Sequence, residues 1–245
     1  MIEASQLTKV FKDRKRGKIL AADQVSFRCE SGQISGLLGS NGAGKTTILR
    51  MLATILKPTS GTASVAGFDL IKDPEKVRAN IGFLSTATAL YGRLSAREMV
   101  EYFGRLHGME EALLKRRIDE LFIRLGMMDF QYGRCDKLST GMKQKVSIAR
   151  SLVHDPQVVI LDEPTLGLDV LAARTIVSFI RECRAAGKTV IFSTHVMSEV
   201  EKLCDQVAII HGGKILESGT LSGLREKHQT QEVEEIFVRT VQEAS

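Results

Sequence analysis

The sequence predicts an α/β fold, on three observations. The apolar run Ile34 to Leu38 leads into Gly39-Ser40-Asn41-Gly42-Ala43-Gly44-Lys45-Thr46-Thr47, and Ile48, Leu49, Leu52, Ile55 and Leu56 then recur at helical spacing until Pro58. Further short apolar runs, Ile81 to Leu84, Val158 to Leu161 and Val190 to Phe192, read as buried strands separated by helical patterns. The chain has 245 residues, 43% of them hydrophobic, enough for one substantial α/β domain and a smaller subdomain.

Taken in order, residues 2–11 and 19–28 predict two strands joined by the basic stretch Lys12-Asp13-Arg14-Lys15-Arg16-Gly17-Lys18. That stretch reads either as a solvated hairpin tip or as a contact to anionic lipid or nucleic acid. Residues 59–71 predict another short β segment around Gly61, Ala63, Val65 and Gly67. A polar turn follows Ile81 to Leu84, and Ser95 with Glu98 fits a capping box at a helix start. Residues 96–128 are helix-rich, with Leu113, Leu114, Ile118, Leu121, Phe122 and Leu125 assigned to one face; the block interrupts the α/β alternation as a helical insert.

A helix is expected from Met142 to about His154, and another from about Val170 to near Gly187. Residues 198–204 read as helix, residues 207–210 as strand, Gly212-Gly213 as a turn, and residues 214–216 as the strand's partner. The tail, with Val233, Phe237 and Val241 one helical turn apart and Ile236 beside them, predicts a final amphipathic helix packed on the domain.

Composition excludes several classes. Cys29, Cys135, Cys183 and Cys204 are far apart with no C-x-x-C pair, so they read as buried thiols rather than a disulfide or zinc framework. No apolar run approaches the ~20 residues of a membrane span, and the N-terminus lacks the pattern of a signal peptide. The expectation is a chain soluble by itself, whose membrane role, if it has one, runs through a partner. The net charge is +5.

Gly39 to Thr46 has the form G-x-x-x-x-G-K-T, the phosphate-binding P-loop, and it lies between a strand end and a helix start. Chance gives such a match in about one chain in a hundred of this length; the flanking strand and helix make chance rarer still. Backbone N–H groups along Gly39, Ser40, Asn41, Gly42, Ala43, Gly44 and Thr47, with the helix N-terminus, can face a phosphate chain. Lys45 can reach the outer phosphates, and the Thr46 hydroxyl can ligate Mg²⁺. The strand Val158 to Leu161 ends in Asp162-Glu163. With a P-loop in the chain, Asp162 is placed to hold Mg²⁺ through water and Glu163 to orient or deprotonate the attacking water; otherwise the pair is an N-cap. His195 emerges where strand 190–193 ends, the edge at which ligands bind in α/β sheets, as a γ-phosphate contact or as a hydrogen-bonded surface residue. Phe11 reads either as a purine-stacking ring or as an ordinary strand aromatic.

Five motifs occur in one order: Gly39 to Thr46, Leu138-Ser139-Thr140-Gly141-Met142, Ile160-Leu161-Asp162-Glu163-Pro164, Gly167-Leu168-Asp169 and Ser193-Thr194-His195. The set resembles the ATP-binding subunit of ABC transporters across nearly the whole chain. The resemblance implies a single domain over residues 2–241: an α/β P-loop NTPase (RecA-like) core, an N-terminal antiparallel β subdomain, a helical subdomain at roughly 88–155 and a C-terminal helix at roughly 232–242. It implies ATP and Mg²⁺ as cofactors, hydrolysis by Glu163 with Lys45 and with His195 sensing the γ-phosphate, and Thr46 and Asp162 at the metal. Ser139, Thr140 and Gly141 are implied to contact nucleotide across a dimer, with Asp169 at the interface and Phe11 in the place of the adenine-stacking aromatic. The implied partners are a second ATPase subunit, as a homodimer, and a transmembrane permease subunit, with no nucleic acid. The implied location is the cytoplasmic face of the membrane, peripheral through that permease.

Within the family, Ser139-Thr140-Gly141-Met142-Lys143-Gln144-Lys145 and the end Glu232 to Val238 are similar to the sodium- and drug-exporting (NatA-type) branch. One departure stands out: Thr86 occupies the position where the family usually carries a glutamine linking the metal and attacking water to the helical subdomain. Three other classes fit the sequence less well. ABC ATPases acting on ribosomes usually carry two ATPase units and those acting on DNA a long coiled coil, neither of which is in this sequence. A non-hydrolysing regulatory ABC protein does not require Lys45, Asp162, Glu163 and His195 together. A small-molecule kinase or GTPase does not account for Leu138 to Met142.

Overall fold

The computed structural model of the chain describes residues 1–13, 17–85 and 89–244. In order, its elements are β1 (Ile2–Asp13), β2 (Gly17–Cys29), β3 (Ile34–Leu38), α1 (Lys45–Leu52), β4 (Ser60–Val65), β5 (Phe68–Asp69), α2 (Pro74–Asn80), β6 (Ile81–Leu84), α3 (Ala96–Leu106), α4 (Glu111–Arg124), α5 (Thr140–Leu152), β7 (Val158–Asp162), α6 (Val170–Ala185), β8 (Thr189–Thr194), α7 (Met197–Leu203), β9 (Gln206–His211), β10 (Lys214–Thr220), α8 (Leu221–His228) and α9 (Val233–Glu243). The basic-tip residues Arg14, Lys15 and Arg16, and Thr86 at the usual glutamine position, lie outside the described residues.

Two sheets organise these elements. One is antiparallel, in the order β2-β1-β4-β5; the other has six strands in the order β10-β9-β3-β8-β7-β6. In the second, β9, β3, β8, β7 and β6 pair in parallel and only β10 pairs antiparallel, against β9. Both faces of the parallel strands are covered, which is why β3, β7 and β8 are buried throughout and read as continuous apolar runs rather than alternating ones.

One face is closed by α1 and the antiparallel sheet. There Ile2, Leu7 and Val25 pack with Ile48, Leu49 and Leu52 of α1 and with Leu37, Ile160 and Ile191 of the larger sheet. The other face is closed by α3, α4, α5 and α6, where Met99, Ile118, Phe122, Val146 and Ile176 pack with Leu161 and Phe192. A third cluster joins α7, α8 and α9 to β3 and β9 through Val200, Leu224, Val233, Ile236, Leu38 and Ile209.

The capping box at α3 is present: Glu98 N donates to Ser95 Oγ and Ser95 N to Glu98 Oε2. Several expectations are corrected. Leu113 is 43% exposed, because it lies about 100° round the helix from Leu114, on the same side as the exposed Arg116 and Glu120. The segment 59–71 is two strands, β4 and β5, turned at Ala66-Gly67. Helix α5 starts at Thr140, with Ser139 as its cap, rather than at Met142. The buried face of α9 is Val233, Ile236 and Thr240 rather than Val241, and the Thr240 hydroxyl is satisfied by Ile236 O at 2.8 Å. Cys204 is only partly buried, unlike the other three free thiols.

Candidate functional site

The sheet brings three sequence-distant loops to one edge. In register, Leu38 of β3 pairs with Thr194 of β8, and Ser193 of β8 with Asp162 of β7. The glycine loop, the acid pair and the histidine therefore all leave the carboxyl ends of adjacent parallel strands, where open α/β sheets bind ligands.

The loop folds this way because of its glycines. Gly44 stands as the N-cap of α1 at φ 105°, and a Cβ there would lie 2.3 Å from Ala21 O. Only glycine fits both the left-handed backbone and that approach to β2. With no side chain capping α1 and no acid in its first turn, the N–H groups at its start are left to an anion. Residues 40–47 line a cavity of about 300 Å³, completed by Ala21, Glu163 and Leu166.

Lys45 is buried at 5% exposure, and its ammonium donates to Gly39 O at 2.7 Å and to Ser40 O at 3.2 Å. It also pairs with Glu163 Oε1 at 3.2 Å. The other carboxylate oxygen, Glu163 Oε2, meets His195 Nδ1 at 2.9 Å. With Glu163 ionised, Nδ1 must be the donor in that bond. Glu163 is held at φ 48°, a backbone conformation costly to a residue with a Cβ. Its N–H donates to Ser193 Oγ at 3.0 Å.

Asp162 is fully buried. Its Oδ1 accepts from Thr46 Oγ1 at 3.0 Å and Ser193 Oγ at 2.7 Å. Among the described residues, Oδ2 has no hydrogen-bond partner. A buried carboxylate oxygen without a partner is costly unless a cation or water meets it, so the donor set fits a hard divalent ion. No group of three or more His, Cys, Asp and Glu among the described residues could cage a metal. Such an ion would take Asp162, the Thr46 hydroxyl, waters and nucleotide phosphates, the mixed set that Mg²⁺ favours.

The remaining expected residues lie elsewhere. Ser139 caps α5, its Oγ accepting from Met142 N at 3.3 Å, and Asp169 caps α6, accepting from Ala172 N at 2.9 Å. A Cβ on Gly141 would sit 3.0 Å from the Ala172 Cβ, so the two helix starts lie side by side. Ser139, Thr140, Gly141 and Asp169 do not line the phosphate cavity. Nor does Phe11, which is 36% exposed on β1 with the Lys9 ammonium 5.3 Å from its ring centroid; β2 contributes Ala21 instead. Two further links support the site. The Ser193 hydroxyl links Asp162 to the Glu163 backbone, and Gln144 Nε2 ties α5 to Pro164 O at 2.8 Å. Only the hydroxyl just before Thr194-His195 hinted at the first.

Comparison with known proteins places this geometry. The sequence profile of the family described as ABC transporter matches residues 22–166. The ABC transporter ATP-binding protein NatA of Bacillus subtilis is 42% identical over 239 residues, covering 97% of this chain and 97% of NatA. A solved structure of an ATP-binding subunit of an ABC transporter superposes with a TM-score of 0.87 at 28% identity, covering 98% of this chain and 99% of that one. A dimeric post-hydrolysis structure of the ATP-binding cassette MJ0796 bound to ADP and Pi superposes with a TM-score of 0.82 at 25% identity, over 90% of this chain and 98% of that one. The P-loop core, antiparallel sheet and helical layer are thus those of the ABC cassette, and the chain belongs to the ABC transporter family as one of its ATP-hydrolysing, ATP-binding subunits.

Proposed function

We propose that this chain hydrolyses Mg-ATP to power a separate transmembrane permease that exports sodium or drugs, with two copies closing head to tail around two nucleotides. The observation that carries the chemistry is the Glu163 carboxylate, held at a strained backbone between Lys45 and His195 and one residue from the half-satisfied Asp162. In this reading Lys45 and the N–H groups of Ser40, Asn41, Gly42 and Gly44 to Thr47 bind the phosphates, while the Gly39 and Ala43 N–H groups donate to Thr194 O at 3.3 Å and Ser40 O at 3.2 Å and hold the loop itself. Thr46 and Asp162 hold Mg²⁺, which supplies charge neutralisation on the phosphates. Glu163 takes a proton from the attacking water, and His195 contacts the γ-phosphate. Phe11 stacks on the adenine from the rim of the site.

The whole of 2–241 acts as one cassette, with residues 88–155 as its helical part. Ser139, Thr140, Gly141 and Asp169 serve the nucleotide of the second copy. In support, they sit at two adjacent helix starts away from their own cavity, and the nearby Leu166, Val170 and Leu171 are apolar yet more than half exposed. The exporter assignment rests on the Ser139 to Lys145 signature and the similarity to NatA. In this reading the permease is a separate chain that holds this one at the cytoplasmic face; no helix among the described residues is long and apolar enough to cross a membrane.

Two experiments test the proposal. Glu163→Gln should slow hydrolysis by ~100-fold or more and accumulate an ATP-bound dimer by light scattering; parental turnover would remove Glu163 as the base. Affinity purification from mildly solubilised membranes should bring down a stoichiometric multi-span protein. Ribosomal or DNA-repair proteins in its place would overturn the transporter reading.

A further inference from the structure

The loops that carry Glu163 and His195 are tied together by a side chain that belongs to neither. Glu199 is the third residue of α7. Its Oε1 accepts from the hydroxyl of Thr165, two residues after Glu163. Its Oε2 accepts from Thr194 Oγ1 at 2.6 Å, one residue before His195. Thr194 is fully buried, and its Oγ1 accepts in turn from Val196 N at 3.0 Å, so its proton is committed to Glu199.

An acid in the first turn of a helix is ordinary and favourable by itself. Glu199 differs in that two hydroxyls from neighbouring loops, not the N–H groups of its own helix, take its two oxygens. Both hydroxyls donate, so the bridge needs an acceptor at each end. An ionised carboxylate supplies two; an amide supplies one.

We propose that Glu199 is a positioning residue for ATP hydrolysis: it clamps the loop after β7 to the loop after β8, in the register at which His195 Nδ1 meets Glu163 Oε2. This rests on the reading of Glu163 and His195 as the groups that act on the nucleotide. Glu199 touches neither of them, so its effect runs through the orientation of His195. Phosphate binding, which belongs to the glycine loop and Lys45, stays outside it.

The test is steady-state ATPase kinetics and ADP titration of the purified chain in two backgrounds. Glu199→Ala should lower kcat by about 10- to 100-fold, the scale of a misplaced proton-handling group, with KM for ATP and affinity for ADP held within about twofold. Glu199→Gln, which keeps one acceptor, should fall between. In a His195→Ala background, Glu199→Ala should cost less than about twofold more, because residues acting as one unit are not additive. The same loss in both backgrounds, or full turnover by Glu199→Ala, would overturn the proposal. Full turnover by His195→Ala alone would remove the reading of His195 and the role of Glu199 with it, an outcome distinct from the other two. Should Glu199→Ala not fold, Thr165→Val cuts one arm of the clamp without altering α7. It should lower kcat several-fold at unchanged ADP affinity, and wild-type kcat in that variant would likewise overturn the proposal.

Discussion

The hydroxyl of Thr46, at the start of α1, donates to Asp162 Oδ1 at the end of β7 over 3.0 Å, while Asp162 Oδ2 is buried without a partner among the described residues. One carboxylate thus spends one oxygen holding the phosphate-binding helix in place and keeps the other for something that is not protein. Asp162→Asn keeps the shape and the Thr46 bond but removes the charge. It should leave Mg²⁺-free ADP affinity nearly unchanged, abolish the gain in affinity on adding Mg²⁺, and cost about 100-fold or more in turnover. Titrations of ADP with and without Mg²⁺ check this; an undiminished Mg²⁺ effect in the variant would remove Asp162 from the metal.

Lys45 has two kinds of partner, the Gly39 and Ser40 carbonyls and the Glu163 carboxylate. Its ammonium is therefore both a brace for the loop and, among the described residues, the one buried cation lining the phosphate cavity. Lys45→Ala loses both. Nucleotide affinity should fall by at least about tenfold, the worth of one charge-assisted contact. An ATP titration indistinguishable from the parent would count against the loop as the phosphate site.

Gly44 supports a sharper backbone test. Alanine there meets a left-handed conformation costing roughly 1–2 kcal/mol and a Cβ within 2.3 Å of Ala21 O. The strand must shift or the loop must open, so Gly44→Ala should lower both the unfolding midpoint and nucleotide affinity. Gly42 is also left-handed, at φ 82°, but a Cβ there has nothing within 4 Å. Gly42→Ala should therefore be the milder of the two by both measurements, and the reverse order would contradict the loop geometry.

These contrasts show where the sequence was readable. The glycine loop, Asp162-Glu163 and Ser193-Thr194-His195 stand at the carboxyl ends of β3, β7 and β8, whose buried middles are mostly apolar, so the polar residues that end each run are easy to see. The helices that sequence reading passed over, α2 and α8, bury little: Val77 alone in α2, and Leu224 with His228 in α8. A segment with one or two buried side chains carries no period to detect. Glu199 was illegible for another reason. Its partners Thr165 and Thr194 are 34 and 5 residues away, and only the strand order that sets β7 beside β8 brings them to one carboxylate.

His154 offers a test of stability rather than catalysis. Its ring stacks on His107 with centroids 3.6 Å apart, and its Nε2 meets Ile81 O at 3.0 Å. Burial, with the neighbouring His107 adding to it, lowers its pKa from 6.5 to about 4. A histidine kept neutral by the fold binds its proton more readily once unfolded, so the unfolded chain takes up protons between pH 6.5 and 4 and the folded one does not. The stability it contributes is complete above pH 6.5, is lost as pH falls toward 4, and changes no further below that. Its ceiling is about 3 kcal/mol. Carboxylates titrate in the lower part of the same window, so the readout is a difference. Urea midpoints of the parent should fall more steeply from pH 6.5 to 4 than those of His154→Asn, which can still donate to Ile81 O but cannot titrate. Parallel curves would mean that the proton goes elsewhere and that the stacked pair is indifferent to acid.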